Sequence, residues 1–205
     1  MPKKVISKKT QSTLEILRKT DLLKDFYLAG GTALALQYQH RLSLDLDFFT
    51  KKNIDTKELL EKIKKIGNFS LEKEAENTLT GILNQTKITF LSYDYPILFS
   101  PKNILGIKVA DIKDIACMKL AAISSRGTKR DFVDLFFICH DISLKKLFSL
   151  FQKKYRKVNY NLIHILKSLV YFENAEKEPM PHMIKQVSWQ EIKEFFIKEV
   201  RSIKF

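Results

Sequence analysis

Residues 26–50, FYLAGGTALALQYQHRLSLDLDFFT, limit the possible folds of this chain more than any other segment. The apolar residues 26–29, followed by Gly30 and Gly31, predict a short buried strand that ends in a turn. Thr32 is a suitable N-cap residue, and the alanine and leucine residues after it favour a helix. The segment therefore predicts a strand, a glycine turn and a helix in immediate succession.

The residues after this helix predict a second strand that carries two carboxylates. Residues 43–48 alternate between polar and apolar side chains, and this period of two places Ser43, Asp45 and Asp47 on one face. The other face is predicted to point into the core with Leu44, Leu46 and Phe48. The two aspartates are expected roughly 6.5 Å apart along the strand, where both carboxylates can approach one cation.

The aspartate pair and the glycine pair suit the same chemistry. Mg²⁺ prefers oxygen ligands and commonly shares them with substrate phosphates, so Asp45 and Asp47 are candidate metal ligands. Gly30 and Gly31 lack a Cβ atom, so their backbone N–H groups can approach a phosphate at the positive end of the following helix. Taken singly, the glycines could form a plain turn and the aspartates could lie on a solvated edge strand. Their order in the chain favours phosphoryl or nucleotidyl transfer.

The motif L-A-G-G-T-A-L followed by H-R-L-S-L-D-L-D-F-F resembles the AbiEii/AbiGii toxin family, within the DNA polymerase β-like nucleotidyltransferase superfamily. The resemblance implies an enzyme that transfers a nucleotide monophosphate from an NTP to an acceptor hydroxyl. It also implies the toxin of a toxin–antitoxin or phage-defence pair, with a cognate antitoxin protein as a possible partner. In some relatives the acceptor is the 3′ end of tRNA.

A second motif, K-L-A-A-I-S-S-R-G-T-K-R-D-F-V-D-L at residues 119–135, resembles the same family. The resemblance implies that Lys119 and Asp131 complete the active site, with Lys119 directed toward the nucleotide phosphates. The guanidinium groups of Arg126 and Arg130 suit bidentate contacts with phosphate oxygens. A purely structural role for Asp131 stays open, because it is also the last residue of a T-x-x-D capping-box pattern.

Three further positions bear on the predicted active site. Asp134 lies within an apolar helical segment and is predicted to be the ion-pair partner of an arginine. Many nucleotidyltransferases of this superfamily carry a third carboxylate on a later strand, whereas this chain has Thr89 in the expected region and Asp94 in the loop beyond. Threonine is a poor metal ligand, so the general base and a second metal are left unassigned. The resemblance implies that Asp131 supplies the missing charge.

Composition bounds the possible partners and the cellular location. The chain has 205 residues, 45% of them hydrophobic, and a formal net charge of +13. This charge favours a polyanion such as RNA, although a lysine-rich composition alone also gives a basic surface. Cys117 and Cys139 show no metal-binding spacing and are predicted to be reduced thiols of a cytoplasmic protein. No segment resembles a signal peptide or is apolar for the roughly 20 residues that cross a membrane.

The predicted fold class is α/β (α+β), with a small mixed β-sheet as the nucleotidyltransferase core and a mostly helical C-terminal half. Strands are predicted near residues 70–75, 78–84 and 86–92. Helices are predicted to begin after the cap residues Asp55, Asp111 and Ser188. A change in composition divides the chain into a core domain, residues 1–106, and a helical domain, residues 107–205, that closes the active-site cleft. Residues 1–9 are predicted to form a loosely ordered basic tail.

These observations lead to one main hypothesis and two alternatives. In the main hypothesis Asp45 and Asp47 hold Mg²⁺ and act in catalysis together with Lys119 and Asp131. The NTP is bound by Gly30, Gly31, Thr32, Ser43, Lys119, Arg126 and Arg130. The first alternative is a non-catalytic nucleotide- or RNA-binding module derived from this fold, in which Thr89 marks the loss of activity. The second is an Asp-x-Asp glycosyltransferase, which the short first half disfavours.

Overall fold

The computed structural model of the protein describes residues 5–203. The helices are α1 (Lys8–Arg18), α2 (Gly30–Tyr38), α3 (Thr56–Lys64), α4 (Ile112–Ser125), α5 (Lys129–Cys139), α6 (Leu144–Lys154), α7 (Leu162–Ser168), α8 (Glu173–Glu176) and α9 (Trp189–Ser202), with a 3₁₀ turn at Asp21–Leu23. The strands are β1 (Tyr27–Ala29), β2 (Leu46–Thr50), β3 (Phe69–Ala75), β4 (Thr78–Leu83), β5 (Thr86–Ser92), β6 (Lys102–Ile104) and β7 (Ile107–Val109). Among these residues, no helix combines the length and the apolar character needed to span a bilayer.

The strands form one mixed sheet in the order β3-β4-β5-β2-β1-β7-β6. Strand β2 lies at its centre, antiparallel to β1 and parallel to β5. This register places Asp47 between Ala29 of β1 and Thr89 of β5. The predicted α/β class with a mixed sheet is confirmed, and the central strand carries one of the two predicted carboxylates.

The sheet continues past the predicted domain boundary. Residues 105–106 form the turn between β6 and β7. Strand β7 then pairs in parallel with β1, with Val109 opposite Leu28. The division into residues 1–106 and 107–205 stays a prediction, and β7 belongs to the sheet although it follows that boundary.

The predicted helix caps are mostly present. The side chain of Asp55 accepts a hydrogen bond from a backbone N–H in the first turn of α3, and Asp111 does the same for α4. Ser188 and Glu191 form a complete capping box at the start of α9. Each cap of this kind contributes about 1 kcal/mol to helix stability, so short polar patterns fixed these helix starts.

Two predictions near the glycine turn are wrong. Thr32 is not the N-cap residue of α2, because the helix already begins at Gly30. Its N-cap residue is Ala29, and no side chain caps the helix. Leu44 is 55% exposed and does not point into the core. Strand β2 begins only at Leu46, so the alternation of buried and exposed side chains does not extend to Leu44 as the pattern predicted.

The predicted N-terminal tail is partly structured. Val5 and Ile6 are buried, and Ser7 caps α1 by accepting a hydrogen bond from the backbone N–H of Thr10. The prediction of a loose tail is therefore wrong for residues 5–9, because two apolar side chains bury against the protein. Residues 1–4 lie outside the described residues.

A buried ion pair that the sequence did not indicate links the helical half to the loop after β5. Lys154 Nζ lies 2.6 Å from Asp114 Oδ1 and donates to the carbonyl oxygen of Pro96 at 2.8 Å. Asp114 also accepts hydrogen bonds from the backbone N–H groups of Leu98 and Phe99. The first turn of α4 and the end of α6 are thereby held against this loop.

Candidate active site

A cleft of about 210 Å³ lies where the first turn of α2, the start of β2, the end of α4 and the start of α5 meet. Its lining combines both predicted motifs: Gly31, Arg41, Ser43, Asp45, Asp47, Lys119, Arg126, Thr128, Arg130 and Asp131. Two residues of the predicted set, Gly30 and Thr32, do not line it. A larger cavity of about 440 Å³ lies beside Thr50, at the other end of β2, and contains none of the predicted site residues.

The two glycines at the start of α2 leave no room for side chains. A Cβ atom on Gly31 would overlap with Nη2 of Arg41, and one on Gly30 would lie 2.8 Å from Oδ2 of Asp47. Gly30 also has a φ of +68°, a backbone conformation that other residues rarely adopt. The absent side chains let a guanidinium group and a carboxylate pack directly against the N-terminal turn of α2.

We expect Gly31→Ala to weaken NTP binding by about 10- to 100-fold, the equivalent of one charge-assisted hydrogen bond of about 1.5 to 3 kcal/mol. The added methyl group collides with the Arg41 guanidinium, which lines the cleft. The measurements are the KM for NTP and the free energy of unfolding. An unchanged KM in a folded variant would show that the Gly31–Arg41 surface does not contact the nucleotide.

Thr32 does not line the cleft but contacts two residues that do, Ser43 and Asp45. Its side chain is 1% exposed, and its hydroxyl donates to the carbonyl oxygen of Asp45 and lies 2.8 Å from Ser43 Oγ. These contacts tie the segment before β2 to the first turn of α2. Thr32 therefore fixes the position of Asp45, and its hydroxyl is already engaged within the protein.

Asp45 and Asp47 both line the cleft and lie close enough to affect each other. Burial raises the pKa of Asp47, and the negative charge of Asp45 raises it further, while Lys119 opposes both effects. Two carboxylates that repel one another are stabilised by a cation between them. Within residues 5–203, no group of three His, Cys, Asp or Glu side chains is placed to hold a metal ion. The pair fits Mg²⁺, which is commonly held by one or two carboxylates and completes its shell with water and substrate phosphates.

Asp131 lies at the start of α5 with both carboxylate oxygens occupied. Oδ1 accepts from Lys119 Nζ at 2.9 Å and Arg126 Nη2 at 3.0 Å, and Oδ2 accepts from Arg126 Nε at 2.8 Å and Thr128 Oγ1 at 2.6 Å. Burial alone would raise the pKa of Asp131, but the charges of Lys119 and Arg126 outweigh it and hold the pKa well below its usual range. Asp131 is thus an ionised anchor for two cationic side chains.

The capping-box alternative for Asp131 is wrong. Thr128 precedes α5 as its N-cap residue but makes no side-chain cap hydrogen bond. Its hydroxyl donates to Asp131 instead. The two nearby cations make Asp131 a stronger acceptor than a backbone carbonyl, so the side-chain contact takes the place of the cap.

Asp134 is fully buried one turn further along α5 and faces three nitrogen-bearing groups. Arg41 donates to it through Nε at 2.7 Å and Nη2 at 2.8 Å, Lys119 Nζ lies at 2.6 Å and His40 Nε2 at 2.7 Å. The predicted arginine partner is therefore confirmed. Burial alone would raise the pKa of Asp134, but Lys119 and Arg41 hold it well below its usual range.

Lys119 is shared between two aspartates. Burial alone would lower its pKa, but the charges of Asp134 and Asp131 outweigh burial and raise it, so the ammonium group keeps its charge. The result is a chain of alternating charges from Arg126 through Asp131 and Lys119 to Asp134. Such a chain holds the cationic groups at fixed places in the cleft.

These carboxylates predict how stability depends on pH. Asp131 and Asp134 have lower pKa values in the folded protein than in an unfolded chain, where aspartate titrates near pH ~3.9. The stability that they contribute is therefore complete above that pH and is lost as the pH falls below it. We expect the free energy of unfolding, measured with urea, to decrease steeply below about pH 4. A flat profile from pH ~5 to ~3 would contradict the charge network.

Two residues of this network, His40 and Arg41, were not assigned a role from the sequence. Their only signal is a basic pair directly before the segment with the two carboxylates. Their shared partner Asp134 lies more than 90 positions later in the chain. Burial lowers the pKa of His40, which favours a neutral imidazole that donates its one proton to Asp134.

Comparison with known proteins identifies the family. A family model described as nucleotidyl transferase AbiEii toxin, type IV TA system, matches residues 13–103 and 89–205. The chain belongs to this family. The predicted membership of the AbiEii family and the predicted enzyme class, a nucleotidyltransferase, are both confirmed.

One relative and two solved structures are similar to this AbiEii-family chain over most of its length. An uncharacterised protein of Aquifex aeolicus (strain VF5) is 41% identical over 202 residues, which cover 96% of each chain. JHP933 from Helicobacter pylori has a similar structure, with a TM-score of 0.56 and 19% identity over 96% of this chain and 92% of that one. MenT4, a nucleotidyltransferase toxin of Mycobacterium tuberculosis H37Rv, gives a TM-score of 0.58 and 14% identity over 97% and 87%. At these identities the two structures show a shared fold.

Proposed function

We propose that this AbiEii-family protein is a Mg²⁺-dependent nucleotidyltransferase that moves a nucleotide monophosphate from an NTP to a hydroxyl of an RNA acceptor. The single observation that carries the proposal is the convergence of two carboxylates, Asp45 and Asp47, with the charged pair Lys119 and Arg126 in one cleft. The acceptor oxygen forms a bond to the α-phosphorus and loses its proton, and pyrophosphate leaves.

The two carboxylates and the glycine turn bind different parts of the Mg²⁺–NTP complex. Asp45 and Asp47 would hold Mg²⁺, which neutralises the phosphate oxygens and the developing charge when it is bound. The first turn of α2, with Gly31 at the surface of the cleft and Gly30 behind it, directs its positive end toward the phosphates. Ser43 offers a hydroxyl at the same wall.

The cationic side chains bind the phosphates from the other wall. Lys119 supplies a fixed point charge, and the exposed Arg126 and Arg130 supply guanidinium groups that suit two-pronged contacts with phosphate oxygens. Arg41 adds a fourth cation that the sequence did not indicate. Asp131 positions Lys119 and Arg126, because all its contacts are with groups that hold it in the ionised form.

The biological role follows from the family and the charge. The family model describes toxins of a toxin–antitoxin system, so we propose that the protein is the toxin of such a pair or of a phage-defence pair, with an antitoxin as its partner. The net charge of +13 supports a polyanionic acceptor, and tRNA 3′ ends are the first candidates.

The test incubates the protein with Mg²⁺, each of four NTPs labelled at the α-phosphate, and total tRNA. The expected result is label covalently attached to RNA with one or more of the NTPs, and no labelling when EDTA is present from the start of the incubation. The result that overturns the proposal is no transfer by a preparation that binds NTP.

A second candidate function is a nucleotide- or RNA-binding module without turnover. The observation that favours it is Thr89, which pairs with Asp47 on the neighbouring strand where a third carboxylate would complete the metal site. This function predicts that nucleotide binding survives the double substitution Asp45→Ala and Asp47→Ala. Loss of all nucleotide binding in a folded double variant would exclude it.

A further inference from the structure

One segment of the helical half carries positive charge and no carboxylate of its own. Residues 142–172 contain seven Lys and Arg residues and no Asp or Glu. One of the seven, Lys154, is buried against Asp114. The other six are exposed and define what we call the basic face: Lys145, Lys146, Lys153, Arg156, Lys157 and Lys167.

The basic face differs from the surface of the sheet half. On the sheet half, some lysines form salt bridges with carboxylates. Two examples are Lys52–Asp25 and Lys87–Glu72, each with a nitrogen–oxygen distance of 2.8 Å. Among the described residues 5–203, no side chain of the basic face forms a salt bridge. Charges left without partners add to one another, so this face attracts a polyanion more strongly than a mixed surface does.

The segment that carries the basic face extends from the start of α4 to the end of α4 that borders the active-site cleft. Both α6 and α7 pack on α4. The end of α6 lies against the first turn of α4, and α7 reaches the end of α4 at the cleft. His164 Nε2 of α7 lies 3.1 Å from the carbonyl oxygen of Ser124, and Asn174 Nδ2 donates to the carbonyl oxygen of Arg126 at 3.2 Å. Tyr171, between these two contacts in the chain, is 57% exposed, and its hydroxyl donates to the Glu173 carboxylate, which leaves the faces of the ring free. An exposed aromatic ring in this segment offers a stacking surface for a nucleobase.

We propose that the basic face binds the sugar-phosphate backbone of the RNA acceptor and that Tyr171 stacks on a base near its 3′ end, which enters the cleft past Arg126. This inference rests on the proposed function, because it names the surface that receives the acceptor. Phosphate groups fit the basic face because each contact between a lysine or arginine and a phosphate releases a bound counterion. The logarithm of the binding constant then falls linearly with the logarithm of the salt concentration, with a slope proportional to the number of phosphate contacts.

The first experiment measures binding without NTP, so that its outcome is independent of catalysis. The probe is a fluorescein-labelled RNA hairpin with a single-stranded 3′ end, titrated at several salt concentrations. The test variant combines Lys153→Gln, Lys157→Gln and Lys167→Gln. Because three phosphate contacts are lost, the slope of log K against log salt is expected to become shallower by about 2 to 3. The matched control removes three exposed lysines from the sheet half, with Lys51→Gln, Lys57→Gln and Lys65→Gln, and is expected to keep the slope of the unaltered protein.

The second variant separates stacking from charge. Tyr171→Ala is expected to weaken RNA binding about 5-fold or more with the salt slope unchanged, because stacking of a base on a ring involves no counterion. In the transfer assay, both this variant and the triple variant are expected to raise the KM for RNA and leave the KM for NTP unaltered.

The outcomes distinguish this inference from the proposed function. Equal slopes for the triple variant and the unaltered protein, or an equal loss in the control, overturn the assignment of the basic face while transfer to RNA continues. A protein that binds RNA through the basic face but transfers nothing overturns the proposed function alone. Stronger binding to phosphatidylserine vesicles than to RNA, lost in the triple variant, identifies a membrane surface instead and also overturns the inference.

Discussion

Replacing Asp47 with asparagine is expected to lower kcat for nucleotidyl transfer by about 10³-fold or more and to leave the fold intact. A metal held by the two carboxylates supplies several kcal/mol of transition-state stabilisation, and each ~1.4 kcal/mol corresponds to a factor of ten. The free energy of unfolding at neutral pH should be unchanged or higher. Burial and the charge of Asp45 both raise the pKa of Asp47, so its ionised form is disfavoured in the folded protein.

The combination of lost activity and retained stability is the diagnostic feature of this prediction. Asp94→Asn is the matched control, because Asp94 is exposed in the loop beyond β5 and is expected to keep both activity and stability. Activity is followed by label transfer to RNA and stability by urea unfolding. A variant at position 47 that keeps normal kcat would remove Asp47 from the metal site, and a strongly destabilised one would give Asp47 a structural role.

Asp134→Ala is expected to destabilise the protein by about 3 to 5 kcal/mol. The substitution leaves Lys119 and Arg41 buried without their shared carboxylate, and breaking a buried ion pair by removing one partner costs this amount. Urea unfolding at neutral pH measures the effect. Asp134→Asn keeps the size of the side chain and one acceptor oxygen, so it is expected to destabilise the protein less.

The asparagine variant also tests how Asp134 serves the active site. Lys119 and Arg41 both line the cleft, and both are held by Asp134. We expect the folded Asp134→Asn variant to bind NTP more weakly, with a larger effect on KM than Asp94→Asn produces. A loss of stability without any change in KM would show that the network supports the fold and does not set the positions of the phosphate-binding groups.

Local patterns in the sequence were sufficient for most elements of the sheet. The strand predicted at residues 86–92 and the cap predicted at Ser188 each depend on neighbours within a few positions, and both are confirmed. The glycine turn and the aspartate pair also lie within 25 residues of one another in the chain. Features that depend on residues this close in the chain can be predicted from a single sequence, because steric effects and hydrogen bonding act between neighbouring residues.

The electrostatic part of the site depended on contacts that a sequence does not show. The arginine partner of Asp134 was expected from the cost of burying a lone carboxylate, but nothing local indicated that it is Arg41, 93 positions away. Asp131 fits a local capping pattern, and the structure places it against Lys119 instead. For Asp131, the contacts with two cationic side chains outweigh the weaker local cap.

The same reasoning explains Thr32 and Leu44. Threonine is a common N-cap residue, yet the hydroxyl of Thr32 donates a hydrogen bond to the backbone carbonyl oxygen of Asp45. Leu44 follows the alternation of a strand, but β2 has not yet begun at that position. Each error lies at the junction between the glycine turn and β2, where the chain bends to bring the carboxylates toward the first turn of α2.

The most direct test of the nucleotidyl-transfer mechanism compares one NTP labelled at the α-phosphate with the same NTP labelled at the γ-phosphate. Both are incubated with the protein, Mg²⁺ and RNA, and the labelled products are separated. Nucleotidyl transfer attaches the α-label to RNA and releases the γ-label in pyrophosphate, and this is the expected result. Transfer of the γ-label to RNA, or retention of both labels in intact NTP by a protein that binds it, would rule out nucleotidyl transfer.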